Sequence, residues 1–145
     1  LSLHDALPIL RAEQARAAAS GLLDSARRVG DVDLIGGRVA DGLGATELRE
    51  LATDLRNRAR SEKGVVVLFS VTPGADDEPA KVPFVVATTA GARDAGIGAG
   101  SIVKEAAGLV GGRGGGKPDL AQGAGSDPAG IDAAMARIAD LLGTD

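Results

Sequence analysis

The sequence predicts an α/β fold of the α+β sandwich kind: a small mixed sheet covered by helices and preceded by a truncated N-terminal helix. Three observations predict it. Residues 64–72 form a continuous apolar run, Gly-Val-Val-Val-Leu-Phe-Ser-Val-Thr, which marks a strand buried on both faces. Residues 46–60 and 128–142 instead repeat apolar side chains at helical spacing, as helices covering a sheet do. Apolar residues make up 44% of the 145 positions, while Phe69 and Phe84 are the only aromatics, so the core is aliphatic and large enough for one domain.

Residues 1–9 do not begin with Met and resemble a translated sequencing-adaptor remnant. They are set aside as an artefactual or disordered leader, and with them His4, the only histidine, because order is poorest at termini. Residues 10–30 are rich in helix formers, with a thin apolar seam of Leu10, Ala17, Leu22 and Leu23 and a stop at Gly30. That is a helical arm which leans on a partner or on the following domain. The globular domain is expected over 31–145.

Residues 33–40 read as a weak strand, broken or bulged at Gly36-Gly37, and 41–44 as a turn. Thr46 is the expected N-cap of a helix to about Arg60, with Leu48, Leu51, Ala52 and Leu55 inward. Glu47 and Glu50 near its start and Arg56, Arg58 and Arg60 near its end suit the helix dipole. The arginines fit a solvated helix end better than an RNA patch. After the strand at 64–72, an acidic loop with two prolines leads to a return strand over 82–89, a hairpin with a long connection. Pro83 argues there for a sheet edge or a late start. Asp76-Asp77-Glu78 lacks the spacing of a calcium loop and reads as a solvated turn.

Residues 91–100 read as a flexible stretch whose glycines lack the dinucleotide-binding spacing. A helix follows over 101–110, with Ile102, Val103, Ala106, Leu109 and Val110 inward. Residues 119–124 suit a short strand. Asp127 is then an N-cap with Pro128 at the first helical position, and Ile131, Met135, Ile138 and Leu142 line one face of the closing helix.

One stretch has no ordinary place in this scheme: Gly111-Gly112-Arg113-Gly114-Gly115-Gly116-Lys117, with five glycines in its first six positions. Glycine loses backbone entropy on ordering and adds nothing to a core, so this is neither a packed helix nor an ordinary strand. A chain accepts that cost where something approaches its backbone. Successive N–H groups would converge on an anion, with Arg113 offering a planar fork and Lys117 a compact charge. Lys104 belongs to the same setting, since residues 91–120 hold four cations against three acids in a chain of net charge -4. Gly111, Gly116 and Lys117 match the spacing of a nucleotide P-loop, but Pro118 stands where a Ser or Thr should hold magnesium and removes an N–H donor. A glycine-rich linker is the remaining structural reading.

The longer motif from Gly111 through Pro118-Asp119-Leu120-Ala121 to Gln122 resembles the C-terminal, DHHA1-type domain of alanyl-tRNA synthetases, shared with the C-terminal half of DHH phosphoesterases. The order of elements over 10–145 is similar too. The resemblance implies a tRNA partner, whose outer corner would be bound by Lys104, Gly111, Gly112, Arg113, Gly114, Gly115, Gly116, Lys117 and Gln122. It implies a part in coupling aminoacylation with editing, a cytoplasmic setting, and a helical arm that helps bacterial members form homodimers. ATP, magnesium and zinc would belong to domains outside this chain. The phosphoesterase branch carries a histidine where Lys117 stands and an upstream Asp-His-His metal domain; it gives the alternative, the substrate-binding half of a phosphodiesterase acting on short oligonucleotides. A second alternative is a structural oligomerisation module whose glycines serve close backbone packing.

The remaining residues limit the chemistry. Cysteine is absent, so no disulfide and no thiolate ligand or nucleophile exists. There is no Gly-x-Ser-x-Gly elbow and no histidine base outside the leader, so this chain is expected to hold no catalytic centre and no cofactor or metal of its own. With so few aromatics, RNA would be gripped by backbone and shape and not by stacked rings. No apolar run approaches the ~20 residues of a membrane span.

Overall fold

The computed structural model describes residues 27–29, 32–39, 44–58, 62–72, 74, 78 and 80–143. The leader, most of the helical arm, the turn at 41–43, Arg60 and Asp76-Asp77 lie outside the described residues. The elements are β1 (Arg27–Val29), β2 (Val32–Arg38), α1 (Ala45–Asn57), β3 (Gly64–Phe69), β4 (Val82–Thr88), α2 (Ala90–Asp94), α3 (Ala99–Leu109), β5 (Arg113–Gly116), β6 (Leu120–Gly125) and, after a 3-10 turn at Pro128–Gly130, α4 (Ile131–Gly143). The strands form one mixed sheet in the order β1-β2-β3-β4-β6-β5. Among these strands only β2 and β3 are parallel, and such a pair needs a crossover, which α1 supplies.

β3 is buried at all six positions, as its continuous apolar run requires. Its alternation divides the core. Val65, Val67 and Phe69 face the side covered by α3 and α4, whereas Val66 and Leu68 face α1. The result is three layers, α1, sheet, and the α3–α4 pair. Phe69 and Phe84 are opposite each other in the β3–β4 register and stack at 5.2 Å with 21° between ring planes. Both aromatics are therefore buried beneath α3 and α4.

On α1, Leu48, Ala52 and Leu55 recur at helical spacing and are wholly buried; each leucine contributes roughly 2 kcal/mol. Its N-cap is Gly44, not Thr46, and no side chain caps it. The first helical bond runs from the Leu48 N–H to the Gly44 carbonyl at 3.0 Å, so Thr46 already lies inside the helix.

Other expectations also change. Arg27–Val29 is not a helix end but an edge strand paired with β2. β2 is unbroken from Asp33↔Gly64 to Arg38↔Phe69, and Gly36 serves close approach within it: φ is 119°, and a Cβ there would sit 2.0 Å from the Val67 carbonyl oxygen. Pro83 is on an interior strand, as its second residue, so it marks a strand start and not a sheet edge. The stretch at 91–100 holds most of α2, whose N-cap Thr89 accepts the Ala92 N–H, and the first two residues of α3.

The end of the chain follows its sequence signals. The Asp127 side chain accepts from the Ala129 N–H at 3.1 Å, with Pro128 opening the 3-10 turn. Along α4, Ile131, Ala134, Ile138 and Leu142 are buried, with Met135 packed at the margin. Asp127→Ala is expected to lower stability by about 1 kcal/mol, the usual cost of removing a cap, read as a lower urea midpoint with an unchanged slope.

Candidate functional site

The glycine-rich stretch is an edge strand. β5 pairs with β6 alone, from Arg113↔Ala124 to Gly116↔Ala121, and the Lys117 N–H extends the hairpin to the Leu120 carbonyl at 3.1 Å. In a strand, successive amides point in opposite directions, so these do not converge into a nest. The strand forms because α3 lies directly on it. α3 is closed by Gly111, just beyond its C-cap Val110 and with φ 69°, and the Gly112 N–H returns to the Ala107 carbonyl at 2.8 Å, a Schellman cap. Beyond the cap, a Cβ on Gly112 would stand 1.8 Å from the Ala124 oxygen, one on Gly114 2.4 Å from Val103 Cγ1, and one on Gly123 2.7 Å from Phe84 Cζ. Gly115 differs: a Cβ there meets nothing within 4 Å.

The opposite sheet face is organised differently. Among the described residues, α1 covers β3 and β4 and meets β6 only near Leu120 and the Asp119 carbonyl that precedes it, leaving the rest of β6 and all of β5 uncovered on this face. Since Gly114 faces Val103 of α3, alternation puts Arg113 and Gly115, and then Lys117, on the bare face. On β6, Ala121 packs with the α3 side and Leu120 with the α1 side, so Gln122 joins the bare face directly opposite Gly115. Arg113, Lys117 and Gln122 are all exposed. They form a terrace with a side-chain-free centre at Gly115.

Lys104 stands apart from them. It is exposed on α3, one helical turn after Gly100, whose Cβ position lies 2.9 Å from the Gly116 oxygen. It therefore follows the flank of α3 along the β5 edge, on the other side of the sheet from Arg113 and Gln122.

A groove of about 460 Å³ runs between α1 and β6, lined by Arg49, Glu50, Thr53, Asp54 and Asn57 of α1 with Leu120 opposite. Arg49, Thr53 and Asn57 recur at i, i+4 and i+8 on the flank of α1, residues that the sequence analysis does not single out. The signal that could have found them is that spacing beside the buried stripe of Leu48, Ala52 and Leu55.

The β5–β6 turn is held from below. The Pro118 carbonyl accepts from the Ala99 N–H at 2.9 Å and from Thr88 Oγ1 at 2.6 Å. The Asp119 carbonyl accepts from the Thr88 N–H at 3.0 Å and from Arg56 Nη1 at 3.1 Å. Arg56 is thus a tether to the hairpin, which corrects its reading as part of a solvated helix end. Arg58 does belong to the surface, in an i,i+4 pair with Asp54 at 3.2 Å and about half exposed, where such a pair is worth a few tenths of a kcal/mol. Among the described residues no group of three His, Cys, Asp or Glu side chains converges on a metal-sized site, and no helix is long and apolar enough to cross a membrane.

Residues 31–144 match the DHHA1 domain family. The chain is 45% identical over 126 residues to the alanine–tRNA ligase of Mycobacterium avium, covering 87% of this chain and 13% of that protein. It is 46% identical over 134 residues to the alanine–tRNA ligase of Mycolicibacterium gilvum, covering 92% and 14%. The chain thus spans about one seventh of the length of these relatives. The fold superposes on the C-Ala domain from Aquifex aeolicus alanyl-tRNA synthetase with a TM-score of 0.69 and 29% identity, over 82% of this chain and 98% of that one. It also superposes on RecJ from Thermus thermophilus with a TM-score of 0.58, over 92% of this chain and 18% of that one. At 19% identity the second likeness is one of fold alone.

Proposed function

Since the chain belongs to the DHHA1 domain family, we propose that it is the C-terminal, tRNA-binding part of an alanine–tRNA ligase and grips the outer corner of the tRNA. The identity to such ligases over most of the chain supports the assignment. The observation that carries the mode of binding is the bare β5–β6 face, where Arg113, Lys117 and Gln122 surround Gly115. Arg113 can take a phosphate through two parallel N–H bonds, Lys117 supplies a mobile point charge, and Gln122 adds a donor and an acceptor for ribose or base edges. The absent side chain at Gly115 lets a ribose–phosphate backbone lie close to the strand. With both aromatics buried, no aromatic ring here stacks on a splayed base, which favours recognition of a folded RNA by backbone and shape.

In the parent enzyme this grip brings one tRNA within reach of both the aminoacylation and the editing modules, and the arm that precedes β1 contributes to homodimerisation in the cytoplasm. ATP, magnesium and zinc serve those other modules; the residues of this chain bind and position the RNA.

The test is gel-shift binding of the 145-residue chain to an intact tRNA, to the same tRNA with its elbow disrupted, and to a short oligonucleotide. Preference for the intact elbow is the expected result. Preference for the oligonucleotide would transfer the chain to the phosphodiesterase alternative, and binding to none of them would leave a structural module. Lys104→Ala, across the sheet from the terrace, is expected to weaken tRNA binding by less than about twofold, the size of a peripheral, screened charge interaction; the same gel-shift titration measures it.

A further inference from the structure

At the turn end of the hairpin a second pocket, of about 300 Å³, opens between the last turn of α1 and the start of α2, with polar lining from Arg56, Thr88, Thr89, Arg93 and Asp119. Asn57 lines both this pocket and the α1–β6 groove, so the two are neighbours on the surface. Two guanidinium groups border the pocket from different elements, and both residues are half-buried. Each is held by one hydrogen bond to a main-chain carbonyl, Arg56 Nη1 to Asp119 at 3.1 Å and Arg93 Nη1 to Thr88 at 3.1 Å. Neither meets a carboxylate within ion-pair distance among the described residues.

An arginine carries five N–H donors, so each fork keeps four after its carbonyl bond. Two oriented guanidinium groups that border one pocket, neither of them in an ion pair with a described carboxylate, can take a phosphate through charge-assisted N–H bonds. The geometry points to a phosphate site: a phosphate group seated between Arg56 and Arg93. Asp119 supplies an acceptor suited to a neighbouring sugar hydroxyl, which fits a ribonucleotide better than a bare ion. The site rests on the tRNA-binding reading only in its source of phosphate. If that reading holds, the phosphate belongs to the RNA backbone; otherwise its source is a free nucleotide.

The experiment is NMR of the ¹⁵N-labelled 145-residue chain, following the Arg56 and Arg93 side-chain Nε–H signals during titration with inorganic phosphate, adenosine monophosphate and an intact tRNA. Arg56→Lys and Arg93→Lys, which keep the charge and remove the fork, are run in parallel after thermal melts show them folded. If Arg56→Lys does not fold, Arg93→Lys, on the short α2, carries the test alone. Movement of both signals with phosphate or the mononucleotide, weakened roughly tenfold by the lysine variant, supports the site with a free-nucleotide source. Silence toward both, together with movement on tRNA addition and a roughly tenfold weaker tRNA complex in Arg93→Lys, supports it with an RNA source, as expected when a bidentate arginine–phosphate pair is removed. Binding of tRNA through the terrace while both signals stay unmoved overturns the site and leaves the tRNA reading intact. Phosphate binding without any tRNA binding does the reverse.

Discussion

Replacing Gly112 by alanine is expected to destabilise the domain by about 3 kcal/mol or more, at the upper end of the cost of overpacking. The new methyl would stand 1.8 Å from the Ala124 oxygen and 2.4 Å from the Gly125 Cα. Both are main-chain atoms of β6, and no rotamer change relieves the overlap. Gly115→Ala, three residues on, is expected to leave stability within about 0.5 kcal/mol of the parent, the range of an unencumbered surface substitution. Urea unfolding of the two variants measures the contrast. It also decides what the glycines are for: if they served only a bound phosphate, both variants would be equally stable and both would lose RNA. Equal midpoints for the two would refute the packing role.

The second large effect is on binding. Arg113→Ala and Lys117→Ala are each expected to weaken tRNA binding roughly tenfold, the equivalent of about 1.4 kcal/mol, without lowering the melting temperature, because both side chains are exposed. Each should also reduce the slope of log affinity against log salt by roughly 0.7 to 0.9 for every phosphate no longer neutralised. The double variant tests the terrace most severely. If it binds tRNA as tightly as the parent at several salt concentrations, the interface is not on this face.

Much of the frame was legible in the sequence, and the exceptions have physical reasons. The run at 64–72 announced β3 because a strand buried on both faces needs no alternation, and Asp127-Pro128 announced the closing helix because the cap and the fixed proline φ act locally. β5 was illegible as a strand. Its residues after Arg113 are all glycine, so it carries no side-chain periodicity, and the information that makes it extended resides in Val103, Ala121 and Ala124, which touch it from other elements. The role of Arg56 was hidden for a related reason: its partner, the Asp119 carbonyl, is 63 residues away and is main chain, which no sequence pattern displays. The terrace was legible in composition, through Arg113, Lys117 and Gln122, but not in geometry. That these three share a face, with Lys104 across the sheet from Arg113 and Gln122, follows only from the register of the hairpin.

The stacked pair of Phe69 and Phe84 has a practical consequence for spectroscopy. With no tryptophan or tyrosine in the chain, the near-ultraviolet circular dichroism of the free protein arises from these two rings alone. They belong to neighbouring strands in the middle of the sheet, so that weak signal is a site-specific reporter of whether β3 and β4 remain in register. Followed during denaturation beside the far-ultraviolet signal of the helices, it shows whether the helical layers loosen before the sheet does. The same absence leaves the protein nearly transparent at the wavelengths where nucleic acid absorbs, so the spectrum of a complex in that region is essentially that of the RNA, and changes in its base stacking can be followed without labels.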